Sequence, residues 1–151
     1  MRILIDADGC PVTKNTIKIA NEYNIEVIIF CDTSHIFDYQ DIKVITVGKG
    51  ADSADYALVN EVHSGDIIVT QDYGLSAMAL AKRGCPITQN GMIIDNQNID
   101  LLLATRHAAK KARMAGKHLK GPSKRTKEQD IKFESVLRKM IEDKLKDTLD
   151  I

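Results

Sequence analysis

The sequence of 151 residues lacks tryptophan and has only four tyrosines, three phenylalanines and three cysteines. Cys10, Cys31 and Cys85 are odd in number and form no CxxC pair, so a disulfide framework is not expected. No apolar run approaches the roughly 20 residues of a membrane span, and Asp6 interrupts the N-terminus too early for a signal peptide. These absences predict a cytoplasmic protein without membrane contact.

The formal net charge of zero conceals an uneven distribution. Residues 1–101 hold 7 Lys and Arg against 14 Asp and Glu, whereas residues 102–151 hold 14 against 7. The first part therefore carries a charge of −7 and the second +7. An acidic body followed by a basic segment indicates binding governed by charge, either within the chain or to a partner.

Strand and helix patterns alternate through the first half of the chain. Apolar runs typical of strands covered on both faces occur at 2–5, 25–30, 42–47 and 66–70. Helical spacing follows at residues 11–24 (with Pro11 in the first turn), 52–63 and 74–83. This alternation predicts an α/β fold around a parallel sheet.

The pattern loosens after residue 84 and ends in a long amphipathic helix. Short strands are predicted at 87–88 and 92–94, followed by a helix from about residue 98 to 115. Thr126 to Gln129 form a capping-box pattern that opens the last helix, with Phe133, Val136, Leu137, Met140, Ile141 and Leu145 on one face. We expect a domain at 1–115 and an extension at 116–151. The polar face of the last helix mixes both charge signs, which helices lying on a membrane surface usually avoid. We therefore expect this helix to pack on that domain or at a homodimer contact.

Five acids fall where the carboxyl ends of the strands are predicted. Asp6 and Asp8 follow the first strand, Asp72 follows the fourth, and Asp52 and Asp55 open the intervening helix on a shared face. Ligands of parallel α/β sheets bind beyond these strand ends. Carboxylates at close range repel one another unless a cation compensates, and hard cations take oxygen ligands. The pattern predicts a Mg²⁺ or Mn²⁺ site able to assist phosphodiester hydrolysis.

Some of these acids have equally good structural explanations. Asp52 can simply cap its helix, and Asp8 can stabilise a turn. Asp6, Asp55 and Asp72 together favour the metal site and are the predicted catalytic residues. Cys10 lies beside the acids, but no histidine nearby in the sequence would serve as its base, so it is predicted to be a small, partly buried residue.

Three motifs resemble an uncharacterised bacterial family, the YaiI/YqxD type. They are Asp6-Ala-Asp-Gly-Cys-Pro-Val12, the G-A-D-x-x-D pattern at Gly50–Asp55, and T-x-D-x-x-L at Thr70–Leu75. Ser76 stands where the family usually has Ala, and the basic segment contains the family's Gly-Pro at Gly121-Pro122. The resemblance covers nearly the whole chain.

The segments around Asp55 and Asp72 also resemble the core of PIN-domain nucleases, including the related NYN branch. In that core an Asp opens a helix and an apolar strand leads to T-x-D, while Asp6 matches an Asp that closes the first strand. The resemblance implies a PIN-like three-layer sandwich with a mainly parallel sheet, here with a C-terminal helical extension. It also implies a metal-dependent ribonuclease with a fourth acidic or Asn ligand, for which Asn90 and Asp95 are the candidates.

Residues 3–9 also resemble the D-x-D-G opening of haloacid-dehalogenase-like phosphatases. There the first Asp would be a nucleophile and the second an acid/base. Cys10 replaces the usual Thr, and Thr70-Gln-Asp72 does not supply the later acidic pair of that family, which also needs a later Lys. A phosphatase therefore remains the alternative enzyme.

The basic segment supports two interpretations. It is predicted to bind RNA phosphates through Arg106, Lys110, Lys111, Arg113 and Lys117, and positions 106, 110, 113 and 117 share one helical face. A nucleic-acid-binding or regulatory module with a vestigial site is therefore a second class of function. Alternatively, the segment docks on the acidic body. No aromatic residue lies between Arg106 and Lys127, so the segment itself does not support base stacking.

Overall fold

The computed structural model describes residues 1–33, 39, 41–48, 50, 53–117 and 123–149. Its strands are β1 (Arg2–Asp6), β2 (Glu26–Asp32), β3 (Lys43–Val47), β4 (Ile67–Val69) and β5 (Cys85–Ile87). Its helices are α1 (Thr13–Glu22), α2 (Ser53–Glu61), α3 (Tyr73–Ala81), α4 (Ile99–Met114) and α5 (Lys127–Leu149). The predicted α/β class is confirmed. None of the described helices is both long and apolar enough to cross a membrane.

The strands form one parallel sheet in the order β3-β2-β1-β4-β5. The chain moves outward from β1 to β3 and then returns to the other side of β1 as β4. Strand order therefore reverses between β1 and β4, where Ile5 pairs with Val69. In open α/β sheets the crevice beyond such a reversal is the usual ligand site.

Alternating side chains of β1 bury against two separate helical layers. Ile3 and Ile5 belong to a core shared with α1 and α5, whereas Leu4 belongs to a core shared with α2 and α3. The period of two along a strand produces this division. The result is a three-layer sandwich, with α4 packed on the outside of α3.

The last helix completes one of those layers. Phe133, Leu137, Met140 and Ile141 are buried, as their spacing predicted. The predicted capping box is also confirmed, because the Thr126 N–H donates to Gln129 Oε1 at 2.9 Å and the Gln129 N–H donates to Thr126 Oγ1 at 3.4 Å. On the surface, the Tyr23 hydroxyl of α1 donates to Glu142 Oε1 at 2.6 Å.

Two helix ends differ from the prediction. Helix α1 begins at Thr13 with Val12 as its N-cap, so Pro11 precedes the helix instead of lying in its first turn. Helix α4 ends at Met114 because Gly116 adopts a positive φ of 81°. The Lys117 N–H then donates to Ala112 O, the pattern of a Schellman cap. Lys117 therefore lies beyond the helix, and its predicted place on one helical face with Arg106 is wrong.

The segment after β5 also differs from the prediction. Residues 92–94 do not form a strand but contribute an isolated antiparallel bridge between Ile93 and Ile87. Gly91, at a φ of 83°, makes the turn that brings the segment back. This turn packs closely against α5, since a Cβ at Gly91 would lie 3.1 Å from Lys132 O.

A buried ion pair fixes the amino ends of β1 and β4. Asp66 is 2% exposed, and its Oδ2 lies 2.8 Å from Arg2 Nη2. The carboxylate also accepts hydrogen bonds from the backbone N–H groups of Arg2 and His63, at 3.1 and 2.8 Å. Hydrogen bonding to Asp66 and its charge raise the pKa of Arg2. Every contact of this carboxylate is therefore with a donor, as a buried charge requires.

Replacing Asp66 by Ala should lower the free energy of unfolding by about 3 kcal/mol, because it leaves the backbone N–H groups of Arg2 and His63 without their acceptor and the Arg2 guanidinium with Glu61 alone. Urea denaturation of the purified variant measures the loss. Arg138→Ala is the control, since it removes an exposed ion pair with Glu22 and should change stability far less. Equal losses in the two variants would contradict the role assigned to Asp66.

Candidate functional site

A small pocket lies at the carboxyl ends of β1 and β4, where the strand order reverses. The described residues that line it are Asp6, Asp8, Gly9, Cys10, Val69, Thr70, Gln71 and Gln89. Apart from Gln89, the lining residues come from the ends of β1 and β4 and from the turns that follow these two strands. The sequence motifs around Asp6 and Thr70 therefore come together at the place predicted for a ligand.

Thr70 connects the acids of the two strands. Its hydroxyl donates to Asp6 Oδ2 at 2.8 Å, and its oxygen accepts the backbone N–H of Asp72 at 3.1 Å. The Thr70 N–H donates to Ile87 O at 3.1 Å, which fixes the backbone beside β5. The threonine of the T-x-D motif thus orients one carboxylate and positions the backbone of the other.

Asp72 has a structural role in addition to its predicted role as a ligand. It is the N-cap of α3, and its Oδ1 accepts the backbone N–H groups of Gly74 and Leu75 at 2.8 and 3.1 Å. Arg106 Nη1, from α4, lies 3.1 Å from the same oxygen. These three donors hold the carboxylate in one orientation at the start of α3.

Asp6, the last residue of β1, has a raised pKa. Burial raises its pKa, and the negative charges of Asp72 and Asp8 raise it further, whereas the hydrogen bond from Thr70 lowers it. The charges of Asp72 and Asp8 therefore act directly on Asp6. A bound cation would relieve the repulsion among them.

Asp8 lies in the turn that follows β1, where Gly9 has a φ of 72°. Its Oδ2 accepts the backbone N–H of Asp32 at 3.0 Å. This bond ties the turn to the carboxyl end of β2, the neighbour of β1. Asp32 was not among the predicted site residues, although its place just after the second predicted strand was a usable signal.

Two other predicted acids, Asp72 and Asp55 of α2, do not line this pocket but line a second depression together with Arg106. Asp52 lies outside the described residues. Within the described ranges, no three His, Cys, Asp or Glu side chains are grouped so that they could hold a metal ion. The convergence of five carboxylates therefore stays a prediction.

The residues that are present nevertheless fit one kind of cation. Magnesium usually takes one or two protein carboxylates and completes its shell with water and substrate phosphates. Asp6 and Asp72 supply two carboxylates at adjoining strand ends, and the pKa of Asp6 is raised by its burial and then by the neighbouring negative charges. The site suits a hard divalent ion held by few protein ligands, not a closed metal cage.

The two candidates for a fourth ligand serve the local fold instead. Asn90 Oδ1 accepts from Arg125 Nη1 at 2.8 Å. Asp95 Oδ1 accepts the backbone N–H groups of Gln97 and Asn98 at 2.9 and 3.0 Å. Neither residue lines the pocket beside Asp6. Gln89 does line it, and its N–H donates to the side chain of Gln71 at 2.8 Å.

Cys10 also lines the pocket and is partly buried, as predicted. Burial is the main cause that raises the pKa of its thiol, and the charge of Asp6 raises it further. Both effects favour the neutral thiol over the nucleophilic thiolate. The thiol is therefore unsuited to act as a nucleophile at neutral pH.

The basic residues divide into two groups. Arg106 pairs with Asp72, and Arg125 donates to Gln89 O, Asn90 and Asp130, so these two dock on the body. The others predicted to bind phosphates are exposed: Lys110, Lys111, Arg113 and Lys117. Docking on the body therefore holds for Arg106 and Arg125, whereas phosphate binding by the exposed residues stays a prediction.

Comparison with known proteins identifies the family. The profile described as uncharacterised BCR, YaiI/YqxD family matches residues 4–143. The chain belongs to the YaiI/YqxD family.

Its relatives match over almost their full length. A UPF0178 protein of Exiguobacterium sibiricum is 49% identical over 144 residues, covering 95% of this chain and 99% of the relative. One from Clostridium acetobutylicum is 50% identical over 145 residues, covering 93% and 97%. One from Lachnoclostridium phytofermentans is 46% identical over 144 residues, covering 93% and 97%. No solved structure gives a significant match. The YaiI/YqxD match includes all three motifs of the site.

Asp6→Asn in this YaiI/YqxD protein should raise the free energy of unfolding at neutral pH in metal-free buffer. Because the folded pKa of Asp6 is raised, the folded state binds its proton more tightly than the unfolded state does. The wild type therefore loses stability as pH rises from the unfolded value, about 3.9, through the folded one. The variant lacks this loss, so its advantage should disappear below that range.

Urea denaturation across this pH range, with a chelator present, checks the expectation. Asp147→Asn is the matched control, because Asp147 is exposed on α5 and its replacement should not alter the pH profile. A variant less stable than the wild type at neutral pH would contradict the repulsion inferred at Asp6.

Proposed function

We propose that the pocket at β1 and β4 is the active site of a metal-dependent ribonuclease that hydrolyses RNA phosphodiesters. One observation carries the proposal: the Asp6 and Asp72 carboxylates, linked through Thr70, lie at the reversal point of the sheet, where burial and then the charges of Asp72 and Asp8 raise the pKa of Asp6. The order of Asp6, Asp55 and Asp72 along the chain, which resembles that of PIN-domain nucleases, supports the same activity.

In this proposal Asp6 and Asp72 hold the divalent cation, with Asp8 adding negative charge beside them. When bound, Mg²⁺ or Mn²⁺ supplies an activated water and stabilises charge on the attacking and leaving oxygens. Thr70 keeps Asp6 in one orientation through its hydrogen bond. Arg106, already beside Asp72, is placed to pair with a substrate phosphate.

Asp55 acts from the neighbouring depression. It lies in the first turn of α2 and lines the same surface as Asp72 and Arg106. In this proposal its carboxylate contacts the part of the substrate that lies in this depression. Its catalytic role is tested by including Asp55→Asn in the cleavage assay used for Asp6 and Asp72.

Asp6→Asn and Asp72→Asn should each reduce Mn²⁺-dependent cleavage of a mixed RNA panel by at least about 10–100-fold, the loss typical of groups that support a metal site. Asn at position 72 remains a good N-cap, so this change removes charge with little effect on α3. Asp147→Asn, on the exposed face of α5, should retain full activity. Undiminished cleavage by both site variants would overturn the assignment.

The phosphatase alternative is separated by a second substrate. Of the described residues that line the pocket, none is a lysine, whereas the phosphatase resemblance needs one. Turnover of p-nitrophenyl phosphate that depends on Asp6, without RNA cleavage, would favour the phosphatase. We expect no such turnover.

The exposed cations of α4 favour a second candidate function, a nucleic-acid-binding module. Lys110, Lys111 and Arg113 are exposed on the helix that also delivers Arg106 to the acids. Cations that neutralise phosphates bind irrespective of sequence, and the binding weakens steeply with salt. Such a module would need no metal and no cleavage.

Neutralising Lys110, Lys111 and Arg113 together to Gln should weaken binding to single-stranded RNA at low salt. It should also reduce the slope of log affinity against log salt by about 2, since each phosphate contact contributes roughly 0.7. Fluorescence anisotropy in EDTA measures both quantities. The control neutralises Lys132, Lys139 and Lys146 on α5, which gives the same net charge. Equal affinity of the two triple variants would contradict the role of α4.

A further inference from the structure

The depression that Asp72 also lines combines exposed side chains of different chemical types. It has a volume of about 230 Å³, and the residues that line it include Asp55, Tyr56, Met78 and Arg106. Tyr56 is 60% exposed and Met78 is 39% exposed. The guanidinium-bearing side chain of Arg106 is 58% exposed. An aromatic ring, a thioether and a cation thus share one open surface.

These side chains come from three different helices. Tyr56 lies on α2, Met78 on α3 and Arg106 on α4. The basic segment contains no aromatic residue of its own. The fold instead places Tyr56 in the same depression as Arg106, the first residue of that segment. An exposed aromatic ring beside a phosphate-binding cation is the combination by which proteins bind single-stranded nucleic acid.

Each member of the depression has a fitting chemical role. The ring of Tyr56 offers a face on which any base can stack. The Met78 thioether supplies a polarizable contact at the edge of an aromatic group. Arg106 presents a planar fork of donors that matches a phosphate, and it already lies beside the carboxylate of Asp72.

We propose that this depression is a nucleobase subsite for single-stranded RNA, which holds the base next to the phosphate that reaches Asp6 and Asp72. This inference rests on the proposed function, because it takes the strand bound at the acidic pocket to continue across Asp72. The base stacks on Tyr56, and Arg106 pairs with the adjoining phosphate. The exposed cations of α4 bind phosphates further along the strand.

The test uses a short single-stranded oligouridylate that carries one 2-aminopurine, with EDTA present so that no cleavage occurs. Stacking on the wild type should quench the 2-aminopurine fluorescence. Tyr56→Ala should remove the quenching and weaken binding about tenfold, within the range measured for loss of one stacked base. Tyr56→Phe keeps the ring and should bind as the wild type does.

Two controls separate stacking from general effects. The salt dependence of binding should be the same for Tyr56→Ala as for the wild type, whereas Arg106→Gln should reduce the slope by about 0.7. A strand of abasic nucleotides should bind the wild type and Tyr56→Ala equally. Circular dichroism confirms folding, which this exposed position should leave unchanged.

Binding and quenching by Tyr56→Ala at wild-type strength would overturn the subsite, as would an absence of quenching with the wild type. Either result would leave the cleavage assay on Asp6 and Asp72 unaffected. Conversely, Tyr56-dependent quenching in a protein that cleaves no RNA would support the subsite and reject the nuclease.

Discussion

Backbone pairing between β1 and β4 joins the two halves of the sheet, which the chain builds in opposite directions from β1. Polar links close this strand pair at both ends. Arg2 and Asp66 form the buried ion pair at the amino ends, and Thr70 donates to Asp6 at the carboxyl ends. Any change that shifted β4 along β1 would break both links, so the register of one strand pair sets the geometry of the site.

The carboxylates at the two ends of this strand pair have opposite electrostatic surroundings. Asp66 is surrounded by donors and stabilises the fold, whereas Asp6 faces the charges of Asp72 and Asp8. Natural proteins retain such unfavourable arrangements where activity requires them. The contrast distinguishes the carboxylate that serves folding from the one available for chemistry, although each lies at an end of the same strand pair.

The sequence predicted features that depend on neighbours along the chain. Hydrophobic runs located the strands, and the spacing of Thr126 and Gln129 identified a helix start. Contacts between distant segments could not be read in the same way. Arg106 docks on Asp72 across 34 positions, and Tyr56 joins the same depression only because α2 and α4 both adjoin α3. Periodicity fixes which face of a helix is apolar but not which other helix stands beside it.

Helix α5 makes the fold depend on a late segment of the chain. Its side chains Phe133, Leu137 and Ile141 cover the same face of the sheet as Ile3 and Ile5, which are synthesised more than a hundred residues earlier. During translation the five strands emerge with this face covered only by α1, and a chain in that state presents apolar surface on which aggregation can begin. Protection by chaperones is therefore most important in the interval before α5 is made. The acids that we propose to be catalytic, by contrast, are all encoded before that interval begins.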